Sequence, residues 1–123
     1  MVDPADLARH RTIDLSTMGR RSGQWRRIEI WWFLFEEKLI ITGTPGRRDW
    51  LANLRADPRL VIHAPEGDFP GEAVEISDPA FRRRFFESRQ TRWYSNQAGF
   101  EALVERAPMV EVFLANADGG GPR

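Results

Sequence analysis

The sequence has no cysteine, one lysine, one tyrosine and two histidines among its 123 residues. Without cysteine there can be no disulfide, thiolate zinc site, iron–sulfur cluster or cysteine nucleophile. His10 and His63 stand in no metal-binding spacing, so no metal is expected. The most apolar run, Ile28 to Phe35, is too short to span a bilayer and contains Glu29. The first residues are charged and show no apolar segment of a signal peptide, so a soluble cytoplasmic protein without membrane contact is expected. No Gly-x-Ser-x-Gly elbow, P-loop or Gly-x-Gly-x-x-Gly occurs, which removes support for hydrolase, nucleotide triphosphatase and Rossmann readings. An excess of either charge is missing as well. Eighteen basic and eighteen acidic residues give a formal net charge of zero, which argues against a general nucleic-acid binder.

What the chain does have is arginine, aromatics and glycine in particular places. Thr17-Met18-Gly19-Arg20-Arg21-Ser22-Gly23-Gln24-Trp25-Arg26-Arg27 sits between two strand-like runs. Glycines let the backbone bend and expose its N–H groups, and arginines supply planar, permanently charged forks that match phosphate or carboxylate oxygens. Between Arg9 and Arg27 six arginines face the single acid Asp14, so that end of the fold should be positive. Two readings of the turn stay open on pattern alone: an anion-holding turn for a phosphorylated cofactor, or a solvated hairpin bend.

The chain length suits one domain, residues 1–115, followed by a frayed Gly-rich tail at 116–123. Asp3-Pro4 opens a short helix to about Arg11. Thr12 to Thr17 alternates as a half-buried strand. Trp25 to Phe35 is apolar on both faces, with Ile28, Ile30, Trp32 and Leu34 on one and Trp31, Phe33 and Phe35 on the other. Both must therefore be covered, one by a barrel interior and the other by a helix, a ligand or a second subunit. A hairpin strand follows from Lys38 to Thr44, then a helix from Asp49 to Asp57-Pro58. Further strands are expected at Leu60–Ala64, Gly71–Ser77 and Met109–Ala115, with Pro65 to Pro70 as a turn. Asp78-Pro79 begins a longer helix with Phe81, Phe85, Phe86 and Trp93 inward and Arg82, Arg83, Arg84 and Arg89 outward. A second helical piece runs from Gln97 to Arg106. This order predicts an α+β, mostly β fold: an antiparallel split β-barrel of about six strands with flanking helices.

The arginine turn, followed by Asp49-Trp50-Leu51-Ala52-Asn53-Leu54-Arg55-Ala56-Asp57-Pro58-Arg59-Leu60-Val61-Ile62, resembles the deazaflavin-dependent nitroreductase family within the pyridoxamine-phosphate-oxidase-like split barrels. The resemblance implies a homodimer in which reduced coenzyme F420 passes hydride to an electron-poor nitro compound, quinone or enone. It implies that Gly19, Arg20, Arg21, Ser22, Gly23 and Arg26 hold the coenzyme's phosphate tail, with Trp50 and Asn53 near the coenzyme. Trp50 could flank the ring, and Asn53 could equally pack inside its helix. Position 25 carries Trp where relatives often have a small residue or proline. The region before the last strand offers only Trp93 and Tyr94 where some relatives are tyrosine-rich. If a residue acts as acid, Tyr94 is the candidate. Two alternatives are an FMN- or FAD-binding protein of the same fold and a non-catalytic binding module.

Overall fold

The computed structural model describes residues 3–115, and the expected tail at 116–123 lies outside the described residues. Six strands, β1 (Thr12–Met18), β2 (Trp25–Phe35), β3 (Lys38–Thr42), β4 (Arg59–Ala64), β5 (Gly67–Glu75) and β6 (Met109–Leu114), close an antiparallel barrel in the order β1-β2-β3-β6-β5-β4. Among the described residues, α1 (Pro4–Leu7), α2 (Asp49–Ala56), α3 (Pro79–Glu87), α4 (Phe100–Arg106) and a 3₁₀ turn (Arg92–Asn96) flank it. This is the split barrel with flanking helices expected from the sequence. Asp3 and Asp78 start their helices by accepting the N–H groups of Ala5 and Ala80, with Pro4 and Pro79 at the first helical position.

The two-faced strand β2 organises the packing. Trp32, with Ile30 and Leu34 beside it, points into the barrel against Ile13, Leu15, Ile41, Ile62 and Val112. Leu7 of α1 and Trp50, Leu51 and Leu54 of α2 join that interior. On the other face, Phe33 and Phe35 meet Phe81 and Phe85 of α3 with ring centroids 5.4 to 5.6 Å apart, edge to face. Helix cover stops there. Trp25 and Trp31, towards the start of β2 on this face, remain 46% and 41% exposed, and Ile28, at the outer end of the interior face, 38%.

The β2–β3 hairpin turns through Glu36 and Glu37, both at positive φ (49° and 66°), where glycine or asparagine is the usual choice. Arg84 grips the Glu36 carboxylate at 2.8 and 3.0 Å, and this hydrogen bonding holds its pKa below the usual value. Replacing Glu37 with glycine is expected to raise stability by about 1 kcal/mol by removing the left-handed strain. The gain should appear as a higher urea midpoint at unchanged slope.

Several element bounds differ from expectation. Helix α1 stops at Leu7 because the next residues are taken by the sheet: the Trp32 backbone N–H donates to Arg11 O and its indole to His10 O. Strand β3 ends at Thr42, whose hydroxyl donates to Pro108 O. Strand β5 begins at Gly67 and runs straight through Pro70. A residue's N and C=O point the same way in a strand, and Pro70 O accepts from Ala115, one residue past the end of β6. The missing N–H therefore faces a place where the ladder has run out. Helix α3 ends at Glu87, where the Thr91 hydroxyl takes the Phe85 carbonyl, and Trp93 moves to the 3₁₀ turn. Helix α4 starts at Phe100, after an extended Gly99, and not at Gln97.

Arg82 is the largest correction. Expected outward, it is 6% exposed and donates to the carbonyls of Ile76, Leu103, Val104 and Ala107. Three of these carbonyls lie at the end of α4; Leu103 O also accepts the Ala107 N–H, whereas Val104 and Ala107 stand where intrahelical partners run out. Arg82 caps α4 from a neighbouring helix.

Candidate functional site

The turn between β1 and β2 is closed by its own backbone. Gly19 N–H donates to Gln24 O at 2.8 Å and Gly23 N–H to Gly19 O at 2.9 Å. Gly23 takes φ +68°, and a Cβ on Gly19 would stand 2.4 Å from Ser22 Oγ. Both glycines are therefore fixed by conformation or space. Ser22 Oγ accepts the Gln24 N–H at 3.2 Å, which leaves its hydroxyl proton to donate elsewhere.

Asn53, in the middle of α2, ties this turn down. Its Oδ1 accepts from both the backbone N–H (3.1 Å) and Nη1 (2.8 Å) of Arg20, and its Nδ2 donates to Thr17 Oγ1 at 3.1 Å. At 4% exposure Asn53 faces the protein and braces the turn. Arg20 is held further by Asp49 at 3.3 Å. Arg27 pairs with Asp14 at 2.8 Å and Arg59 with Asp57 at 2.7 Å, while the Arg59 guanidinium lies 5.9 Å from the Trp25 ring centroid. That leaves Arg21 and Arg26, exposed and without an ion pair among the described residues. They border a groove of about 610 Å³ with Ser22, Trp25, Trp50 and Asn53.

The groove's neighbour along β2 is a second recess of about 300 Å³, bordered by Glu29, Trp31, Thr44, Trp93, Tyr94 and Gln97. Trp93 and Tyr94 stack there with ring centroids 4.0 Å apart. Tyr94 is 4% exposed, and because no buried side-chain polar atom among the described residues lacks a partner, its unpaired hydroxyl is the part of the residue that reaches solvent. Burial pushes its phenol up to about 12. As the chain's sole tyrosine, it should give a single tyrosinate absorbance step near that value. Stability tied to this group is complete below the ordinary value of 10 and is lost as pH rises through the folded value. A step at the ordinary tyrosine pKa would show an open, solvated side chain.

A larger cleft of about 840 Å³ lies between α2 and the end of α4. Most of its arginines are engaged: Arg55 with Glu75 at 2.6 Å, Arg48 with Thr44, and Arg82 with carbonyls. Among the described residues no cluster of three or more metal-ligating side chains occurs, and no helix is long and apolar enough to cross a membrane.

The family model of the F420H2-dependent quinone reductases matches residues 5–115. The chain belongs to that family. Its coenzyme is accordingly F420, and it is an oxidoreductase acting on a small-molecule acceptor. A search of curated protein sequences returns no match. Among solved structures, an F420H2-dependent reductase, FDR-A, aligns at 18% identity over 84% of this chain and 94% of that one, with a TM-score of 0.62. A FAD-binding protein from Mesorhizobium loti aligns at 13% identity over 92% and 90%, TM-score 0.61. A Listeria innocua protein with a provisional pyridoxamine 5′-phosphate oxidase name aligns at 12% identity over 89% and 88%, TM-score 0.63. At these identities the structures establish the fold that the reductase shares with them.

The reductase brings Gly19, Arg20, Arg21, Ser22, Arg26, Trp50 and Asn53 together at one groove, while Gly23 shapes the turn without lining that groove and Tyr94 lies in the second recess along β2. Trp50 borders the groove but is only 7% exposed, most of its ring packing into the barrel interior. One constellation had no sequence signal: Ser16 Oγ lies 2.8 Å from His63 Nε2, and His63 Nδ1 lies 2.8 Å from Asp68. This resembles a hydrolytic triad in composition only. Ser16 is 6% exposed in the middle of a strand paired on both sides, so no free N–H pair stands ready for an oxyanion. The chain of bonds fastens β1, β4 and β5 to one another.

Proposed function

We propose that Arg21, Arg26 and Ser22 hold the phosphate-bearing tail of F420, with the coenzyme's flat ring lying towards Trp31, Trp93 and Tyr94. The chain is then a reductase of an electron-poor nitro compound, quinone or enone. The observation that carries this reading is a turn whose first arginine is locked by Asn53 while the next two cations lie open on a groove with no acid partner. Such cations favour a doubly ionised phosphate or a run of carboxylates, and a held turn gives up little freedom on binding. The residues therefore fit the group.

Reduced F420, when bound, supplies a hydride. The chain's own part is to bind, orient and exclude water. Trp31 and Trp93, 5.4 Å apart, offer flat apolar walls beside the recess. Tyr94 keeps its proton at Oη through the neutral range and presents an O–H donor to an acceptor oxygen. Titration of the purified protein with F420 and, separately, with FMN tests the reading by fluorescence. Saturable F420 binding with weaker FMN binding supports it, and tight FMN binding without F420 binding overturns it. A panel of nitroaromatic, quinone and enone acceptors, followed by oxidation of reduced F420, identifies the acceptor class.

We also propose that a second copy of the chain covers the exposed start of β2, where Trp25 lies open on one face and Ile28 on the other. Light scattering should return twice the mass of a single chain, and aspartate at Ile28 should shift it towards the monomer.

A further inference from the structure

On the other side of the Trp31–Trp93 pair from Tyr94 lies a separate cleft of about 540 Å³, between α1, β2 and the segment after α3. Its size is that of a small-molecule site. Its apolar wall is built from Ala8, Trp31 and Trp93, and its rim carries Arg9, Arg11 and Arg89. Among its described lining residues none is acidic. Arg9 is shared with exposed Asp6 at 3.2 Å, whereas Arg11 and Arg89 form no ion pair among the described residues.

Both arginines stand on anchored backbone. Arg11 O accepts the Trp32 N–H at 3.3 Å, and the Trp32 indole is bound to the adjacent His10 O at 2.8 Å. Arg89 lies in the short segment that Ser88 and Thr91 bind back onto the Phe85 carbonyl. The Trp93 indole N–H is already used by Gln90 O at 3.0 Å, and the Gln90 amide by Leu34 O at 3.1 Å. What the wall presents is therefore ring surface, and what the rim presents is positive charge.

We propose that this cleft binds a flat aromatic anion, a carboxylate or sulfonate on a fused-ring body, with its ring on Trp31 and Trp93 and its charge between Arg11 and Arg89. The site is distinct from the arginine turn, whose cations serve the other groove. Trp31 and Trp93 border both the cleft and the Tyr94 recess, and the anion would lie on the far side of these two rings, so its binding does not rest on the F420 reading.

Calorimetric titration with naphthoate, its neutral analogue naphthalenemethanol and its cationic analogue naphthylmethylammonium tests the proposal. Naphthoate should bind saturably, with the neutral analogue about tenfold weaker, and each of Arg11→Ala and Arg89→Ala should cost naphthoate about tenfold, as expected for one charge-assisted contact. Arg21→Ala should leave naphthoate binding unchanged, and Arg11→Ala should leave F420 binding unchanged. Equal binding of all three analogues, or indifference to both arginine substitutions, would overturn the site. So would binding to anionic phospholipid vesicles with none to naphthoate, since that pattern belongs to a membrane surface contact. Absence of F420 binding alongside intact naphthoate binding would sink the coenzyme reading alone.

Discussion

Alanine at both Arg21 and Arg26 is expected to weaken F420 binding by roughly a hundredfold to ten-thousandfold. The range follows from about 1.5–3 kcal/mol for each hydrogen bond to a charged group, at 1.4 kcal/mol per factor of ten. Both side chains are exposed and without ion-pair partners among the described residues, so folding should be unaffected and the loss should be read cleanly by titration. Lysine at either position should recover only part of the affinity, because an ammonium lacks the planar fork. Added salt should weaken the wild type more than the double variant. Asn53→Ala makes a useful contrast. It removes three hydrogen bonds that fix Arg20 and Thr17, so it should lower affinity without touching the coenzyme and also reduce stability by about 1–3 kcal/mol. A double arginine variant that binds F420 as well as the wild type would move the anion site elsewhere.

Arg82→Met should be the most destabilising single substitution considered, at about 3 kcal/mol or more, because an unpartnered buried carbonyl costs about 1–3 kcal/mol and three, of Ile76, Val104 and Ala107, lose their donor here, while Leu103 O keeps the Ala107 N–H. That is a large fraction of the roughly 5–15 kcal/mol that holds a protein of this kind folded. Burial lowers the Arg82 pKa somewhat, and the nearby Glu75 charge opposes that shift. Lysine at 82 should restore a minor part, having fewer donors to spread over the carbonyls. Urea unfolding at neutral pH measures the difference, and a loss below about 1 kcal/mol would mean that the end of α4 finds other partners.

The strand β2 was legible in the sequence because its alternation is simple and both its faces are apolar. The structure fills most of one face with the barrel interior, leaving Ile28 open at its outer end, and part of the other with Phe81 and Phe85, leaving Trp25 and Trp31 open. The arginine turn was legible as a bend, since glycine positions report backbone shape directly. How the turn is held was not. The tether from Asn53 to Arg20 spans 33 positions, and no local pattern distinguishes an asparagine that braces a loop from one that faces a ligand. Arg82 did leave a trace, standing three and four residues before Phe85 and Phe86 and so on the buried stripe of α3. Its charge suggested the opposite, because three of the four carbonyls it serves come from residues more than twenty positions away. Pro70 misled in the same manner, since a proline is tolerable in a strand only where its neighbour has already ended.

Closure of the barrel has one further consequence. The β1–β4 seam, from Asp14↔His63 to Thr17↔Leu60, joins the two ends of the strand order, so open backbone edges are confined to stretches where a long strand overruns its neighbour, as β2 does from Trp25 to Trp31, which pairs with β1 alone. Opening of the seam would add two longer edges on which strand-to-strand templating could start. The Ser16–His63–Asp68 chain sits across that seam and works as a latch. Loosening it should show itself as loss of solubility on gentle warming, ahead of any change in the reaction.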